Sequence, residues 1–402
     1  MSSPEPFYPQ SVFAGPQADL KQPPRVFISP HRYIQGEGVI DSLGRYLSIL
    51  PSRMPLLLMT AGGSRRFGPR VQASFAGTAI ESQVEIFRGE CSTEEVERIT
   101  KKVRRAGQPT DSVVAVGGGK CLDAGKCVAS RLGVPVVLCP TIASTDAPCS
   151  AVSVMYTPEG VGKGPEFFRS SPALVVVDTG IIASSPLRYL IAGMGDALAT
   201  CYEALTCFRN PAARSMVGGR VTLAALTLAE LCAKTVFEDG KQAVETLRNG
   251  RIDPSVERII EANTLLSGIG FESGGLAAAH ALAAGLTVIP VLNREFLHGE
   301  LVSIGLIAHL MLEKEPEEAR RAACLLSELG LPVMLKQFRL DMRSDARAFM
   351  EAAKAALKEP FAGNEPFDVT PEKLFSALGE ADRLGTEIVA ETGDALFQIL
   401  HM

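Results

Sequence analysis

The 402-residue chain carries 40 Lys and Arg against 45 Asp and Glu, a net charge of −5, with 46% hydrophobic and 21% charged residues. That balance is typical of a soluble globular protein too long for one small core, so two domains are expected. There is no basic excess to neutralise a nucleic-acid backbone, and the apolar runs are broken by Gly, Pro or charge, which excludes a membrane span.

Residues 1–24 are rich in Pro and polar residues. They lack the apolar core of a secretory signal and the Arg-rich face of a transit peptide, so a mobile extension on a cytoplasmic protein is predicted. Nine cysteines without a CxxC pair predict free buried thiols in a reducing compartment.

From about residue 25 to 183, short apolar runs alternate with helical stretches. "PLLLMTAGG" (55–63) predicts a strand ending in a glycine turn, and "SQVEIFRG" (82–89) a second strand. "TEEVERITKKVRRAG" (93–107) predicts an amphipathic helix capped by Thr93 and stopped by Gly107. "SVVAVGGG" (112–119) is a strand running into glycines, followed by a helix over 121–133 and strands over 134–141 and 173–179. β-branched runs separated by helices predict a parallel, Rossmann-like α/β domain over 25–183. After residue 184, Ala, Leu and Glu dominate and strand signals nearly vanish, so an all-α domain is predicted over 184–402.

Gly117, Gly118 and Gly119 lie between a buried strand and a helix. Without side chains, their N–H groups can approach a phosphate, and the helix N-terminus adds favourable partial charge. A tight turn would need one glycine. Lys120 is read as a phosphate contact or a solvated residue, and Asp123 as a cofactor contact or a helix cap. Among the five histidines, His280 stands in the small, apolar "GGLAAAHALAAG" and His298 in "EFLHGE". Asp196 opens the helical "GMGDALATCYEA" (193–204), either as a cap or as a ligand. Two histidines and a carboxylate would give an N,N,O set with an open position, as in catalytic zinc sites. His309 reads as an ordinary packing or surface residue.

"GGGKCLDAGK", "PTIASTDAPCS", "GMGDALATCYEA", "FESGGLAAAHA" and "HGE" occur in an order that resembles the glycerol dehydrogenases of the iron-containing (group III) alcohol dehydrogenase family, over roughly residues 25–400. The resemblance implies a dehydroquinate synthase-like architecture and a zinc- and NAD-dependent oxidoreductase that moves a hydride between a small polyol and a nicotinamide. By resemblance, Asp196, His280 and His298 are metal ligands. Thr200 stands where iron-dependent members carry a further His, one turn after the Asp, which favours zinc. Thr141, Ser144, Ser150, Val152 and Tyr156 match positions that contact the dinucleotide. Asp146 matches the residue that hydrogen-bonds the polyol, which makes it catalytic with the ligand set. Phe271 walls the substrate pocket, and His280 also faces substrate. The resemblance further implies a homo-oligomer.

Two departures stand out. NAD-preferring relatives place an Asp after the second strand. Here "MTAGGSRR" puts Gly62 there, with Arg65 and Arg66 following, so either NADP is tolerated or used, or the two Arg are a solvated turn and NAD still binds through the glycine loop. Near the metal, "HALAAGL" and "VLNREFLHGE" alter the pocket rim, with Asn293, Arg294 and Glu295 in place of added His and Asn. The alternatives are a glycerol-1-phosphate dehydrogenase or a dehydroquinate-synthase-like cyclase on the same scaffold, and a non-catalytic dinucleotide-binding protein.

Overall fold

In a computed structural model, the described residues are 6–13, 15, 22–107 and 109–402. The β-branched runs form β1 (Tyr33–Gly36), β2 (Pro55–Thr60), β3 (Gln83–Phe87), β4 (Ser112–Gly117), β5 (Val136–Pro140) and, after the hairpin β6 (Val152–Tyr156) and β7 (Gly162–Phe167), β8 (Leu174–Asp178). Six of them pair in parallel in the order β1-β8-β5-β4-β2-β3. Side chains alternate across the sheet. Leu56, Leu58, Val113 and Ala115 enter one buried cluster, while Leu57, Met59, Val114 and Val116 enter another. Both faces are therefore covered, as the uninterrupted apolar runs require. Chain order reverses between β2 and β4, which makes their carboxyl ends the topological switch point of this sheet.

Three details of the α/β unit differ from expectation. The "AGG" after β2 is not a turn. Gly62 and Gly63 open the helix α1 (Ala61–Ala73), because Thr60 caps it by accepting from the Gly63 N–H at 3.0 Å. In α2 (Thr93–Ala106) the cap is Ser92, not Thr93; its side chain accepts from the Glu95 N–H at 3.2 Å. Gly107 does end that helix, at φ 68°. The antiparallel β6–β7 hairpin was not foreseen, because its strand β7 reads "GKGPEF" and lacks an apolar face.

The helical half begins with α4 (Leu187–Arg209), numbered after α3 (Gly119–Leu132), and continues through α5 (Leu223–Arg248), α6 (Pro254–Glu261), α7 (Ala278–Leu286) and α8 (His298–Leu312). Two π-helical turns, Ala262–Leu266 and Gly270–Gly274, flank the turn Ser267–Ile269, where the periodicity suggested plain helix. Chain contacts divide the molecule into an α/β unit (chiefly Ile28–Ala143 and Ala147–Ser185) and a helical unit (chiefly Pro186–Met402) that also takes in Ser144–Asp146. The expected extension over 1–24 falls partly outside the described residues. Of the rest, Pro9–Phe13 is a short helix, and the Pro24 carbonyl accepts from the Arg220 N–H at 2.8 Å. All described cysteines are free, and all but Cys324 are buried. No described helix is long and apolar enough to cross a membrane.

Within the helical unit, α8 crosses two helices at backbone contact. A Cβ on Gly299 would lie 1.8 Å from the Ala192 carbonyl oxygen of α4, and one on Gly195 would lie 2.6 Å from the Gly299 oxygen. A Cβ on Gly305 would lie 2.4 Å from the Ala279 oxygen of α7. Backbone atoms cannot swing away as a side-chain tip can, so these helices approach this closely because glycine stands at the crossings. Gly299→Ala is expected to cost about 3 kcal/mol or more of stability in urea melts. Gly62→Ala is the control: its Cβ meets nothing within 4 Å, so the exchange should be neutral or stabilise by up to about 1 kcal/mol.

Candidate metal and dinucleotide sites

Asp196 lies one residue after Gly195 on α4, His280 one residue after Ala279 on α7, and His298 one residue before Gly299 on α8. The two glycine crossings therefore deliver all three side chains to one place. His280 Nε2 is 3.0 Å from Asp196 Oδ1, and His298 Nε2 is 3.5 Å from the same oxygen. The imidazole centroids are 5.4 Å apart. All three ligand-type atoms lie within 4.8 Å of one another. Asp196 and His280 are buried, whereas the His298 side chain is 45% exposed, so one side of the group is open.

Glu203, which sequence reasoning passed over, completes this group. It follows Asp196 by seven residues, two turns along the same helix face. It is fully buried. One carboxylate oxygen accepts from the Ala277 N–H at 2.8 Å and the His280 N–H at 2.9 Å, and the other pairs with His280 Nδ1. That contact leaves Nε2 facing Asp196. The i, i+7 spacing inside "DALATCYE" was the available signal. The turn that carries His298 is fixed separately. Glu300 accepts from the Leu297 N–H at 2.8 Å, accepts from Arg188 Nε and Nη2 at 2.6 and 2.7 Å, and lies 3.1 Å from His401 Nε2.

This group is a cluster of buried, mutually interacting charges. Burial opposes charge on Asp196, yet the imidazoles of His298 and His280 hold its carboxyl below the usual range. Burial likewise opposes a charged His280, but Glu203 and Asp196 raise its imidazole well above the ordinary value. Asp196 Oδ2 is buried without a hydrogen-bond partner, a costly state for a carboxylate oxygen that a cation would relieve. The donor set fits a divalent metal with two nitrogens and an oxygen. Thr200 is not among the donors: its hydroxyl donates to the Ala197 carbonyl at 2.8 Å and lies 3.5 Å from Ser267 Oγ.

Two further expected residues lie in the helical unit. Asp146 is buried and accepts from Ser267 Oγ at 3.4 Å. Phe271 is half-buried in the second π turn, a feature that recurs at functional sites. Ser144 belongs to the same unit. Of the altered rim, Glu295 pairs with Arg339 at 2.7 Å, and the Arg294 guanidinium donates to the Pro290 carbonyl of its own turn at 3.1 Å.

In the α/β unit, β4 ends at Gly117, Gly118 is the N-cap and Gly119 begins α3. A Cβ on Gly117 would meet Cys121 at 2.7 Å, and one on Gly118 would meet Ile142 at 2.9 Å. The triplet therefore also serves packing. The N-terminus of a 14-residue helix at the switch point is a natural place for an anion. Gly62, at the carboxyl end of neighbouring β2, has open space beside it, and Arg65 and Arg66 are exposed. Thr141 donates its N–H to the Gly117 carbonyl at 3.0 Å.

Other expected cofactor contacts are occupied differently. Asp123 is neither a cap nor open to a ligand. It is buried, paired with Lys126 Nζ at 3.1 Å, and accepts from the Val154 N–H at 3.0 Å, which pins the hairpin onto α3. Ser150 Oγ lies 3.4 Å from the same ammonium, and the Val152 carbonyl accepts from it at 2.6 Å. Lys120 is not a lone solvated charge: it pairs with Glu90 at 2.7 Å and lies 4.6 Å from the ring centre of Tyr156. Burial, with Asp123 nearby, pushes the Tyr156 hydroxyl above its ordinary value. His309, expected to be an ordinary residue, is buried among carboxylates.

Residues 30–179 match the family described as iron-containing alcohol dehydrogenase. The chain is 45% identical over 359 residues to the glycerol dehydrogenase of Thermotoga maritima, covering 89% of this chain and 97% of that one. It is 43% identical over 373 residues to the glycerol dehydrogenase of Escherichia coli O6:H1, covering 91% and 99%. The crystal structure of a probable glycerol dehydrogenase from Sinorhizobium meliloti 1021 superposes with a TM-score of 0.83 at 36% identity, covering 90% of this chain and 99% of that one. With this fold, and with relatives of this identity matched over almost their whole length, the chain belongs to the iron-containing alcohol dehydrogenases, metal-dependent and NAD-using oxidoreductases that act on CH–OH groups.

Proposed function

We propose that this enzyme is a zinc-dependent glycerol dehydrogenase that interconverts glycerol and dihydroxyacetone. The observation that carries this reading is the convergence of Asp196, His280 and His298 within 4.8 Å, with a buried, unpartnered carboxylate oxygen and an open side at His298. Asp196, His280 and His298 hold the metal, and Thr200 in place of a fourth donor favours zinc over iron. When bound, the cation supplies Lewis acidity toward a hydroxyl oxygen, and the nicotinamide supplies the hydride acceptor.

The chain's own residues bind and orient. Glu203 pairs with His280 Nδ1 and so leaves Nε2 as the nitrogen that would ligate the ion. Asp146, held by Ser267, accepts a hydrogen bond from a second hydroxyl of the polyol, and Phe271 walls the pocket. The N–H groups at Gly118 and Gly119 receive the dinucleotide phosphates. Thr141, Ser144 and Tyr156 are the remaining candidates of the cofactor set. Asp123, Ser150 and Val152 support it from beneath by holding Lys126 and the hairpin. The absence of a carboxylate at Gly62, with Arg65 and Arg66 exposed close by, admits NADP beside NAD. The enzyme works on a small polyol as a homo-oligomer in the cytoplasm.

Dihydroxyacetone reduction should be lost on chelation and return with zinc, followed as NADH oxidation. A zinc-loaded enzyme that does not turn over dihydroxyacetone would overturn the substrate assignment. Glu203→Gln is expected to weaken zinc binding about 10- to 100-fold in competition with a chromogenic chelator. Unchanged affinity would mean that the contact to His280 Nδ1 does not tune the site. The wild-type enzyme should oxidise NADPH at a rate comparable with NADH. Gly62→Asp should lower kcat/KM for NADPH at least about tenfold while sparing NADH, by charge repulsion of the 2′-phosphate. Equal loss with both coenzymes would refute that role for Gly62.

A further inference from the structure

We propose that His309, Glu313 and Glu365 form a second divalent-cation site, structural in role and separate from the catalytic group. One ligand-type atom from each lies within 4.8 Å of the others. His309 Nδ1 is 3.0 Å from Glu365 Oε1, and His309 Nε2 is 3.6 Å from Glu313 Oε2. One ion takes only one imidazole nitrogen, and Glu365 stands beside Nδ1 while Glu313 stands beside Nε2, so one of the two carboxylates must swing to the other's side to share it.

The His309 and Glu365 side chains are fully buried. Glu365 Oε2 has no hydrogen-bond partner, and His309 Nδ1 makes no well-directed hydrogen bond despite its short contact. An orphaned carboxylate oxygen in the interior needs a proton or a cation. Burial pushes the Glu313 carboxyl up and the neighbouring Glu365 adds to it, which is the behaviour of two carboxylates forced together. Glu203, the remaining carboxylate acting on His309, is already committed to His280. Thr206 Oγ1 donates to Glu313 Oε1 at 2.7 Å and lies 3.5 Å from His309 Nε2, so a neutral oxygen stands by as a further donor. A cavity of about 770 Å³, lined by Asn210, Phe367 and the Glu365 residue, lies beside the group, although the Glu365 side chain itself is fully buried.

The site would join two parts of the helical unit that are distant in sequence. His309 and Glu313 lie one turn apart at the end of α8, and Glu365 follows a 3₁₀ turn, Pro360–Asn364. Glu365 also accepts from the Ala278 N–H at 3.1 Å, at the start of the helix that carries His280. An ion here would tie the far end of α8 to the base of α7.

The test is zinc content per chain after stripping, reloading with Zn²⁺ alone and desalting, measured by elemental analysis together with Tm. The wild type should retain two equivalents. Asp196→Asn should retain one, and zinc should still raise its Tm. Glu313→Gln, at the partly exposed rim, and His309→Gln should each retain one, and either combined with Asp196→Asn should retain none. If His309→Gln does not fold, Glu313→Gln decides by the same count. A wild type holding one equivalent that Asp196→Asn abolishes would overturn the proposal. So would a Glu313→Gln protein that still holds two, or an equivalent surviving in the double variant.

Discussion

The helical unit depends on one constraint: α8 must touch α4 and α7 at backbone distance. Gly299 permits the first contact and Gly305 the second, and neither place has room for a methyl group. Each contact lies next to a candidate metal ligand. Asp196 follows Gly195, His298 precedes Gly299 and His280 follows Ala279. Side chains a few ångströms long can then meet at 3.0 and 3.5 Å from a single carboxylate oxygen. Wider crossings would leave them too far apart for one ion, whose ligand bonds are about 2 Å. The close packing of these helices and the meeting of the three side chains are thus set by the same glycines.

Around that point the unit gathers buried charge that ordinary packing would avoid. Asp196 and Glu203 lie on one face of α4, two turns apart, with His280 between their carboxylates. Burying such groups costs free energy unless each is paired. Here the imidazole and the backbone N–H groups of Ala277 and His280 pair with them, and the one oxygen left without a partner, Asp196 Oδ2, is where a cation would satisfy the group. Glu300, Arg188 and His401 hold the first turn of α8 in the same way, by charge-assisted hydrogen bonds two residues from His298.

The α/β unit shows how local chemistry misleads as well as guides. The buried strands were legible because β-branched runs on a two-sided sheet have no polar face to interrupt them. The hairpin was not, because "GKGPEF" carries no such run. The pairing of Asp123 with Lys126 was open to reading as an i, i+3 helix pair. Its burial beneath β6 was not, because that depends on where the hairpin folds back. Thr93 and Ser92 are both good caps, and choosing between them needs backbone angles that neighbouring residues do not specify.

The sequence by itself determined the parallel sheet with its glycine-rich strand-to-helix junction, the helical second half, and the identity of Asp196, His280 and His298 as the residues to watch. These follow from periodicity, from residue chemistry and from the order of five motifs. Tertiary structure decided which of those side chains meet, that Glu203 stands behind His280, and that His309 is wrapped by Glu313 and Glu365 rather than lying in plain packing. The physical reason is the range of the forces involved. Hydrophobic period and capping act over a few residues. Convergence of residues 84 and 102 positions apart rests on helix crossings, whose distance is fixed by glycines that look unremarkable in the chain until their neighbours are in place.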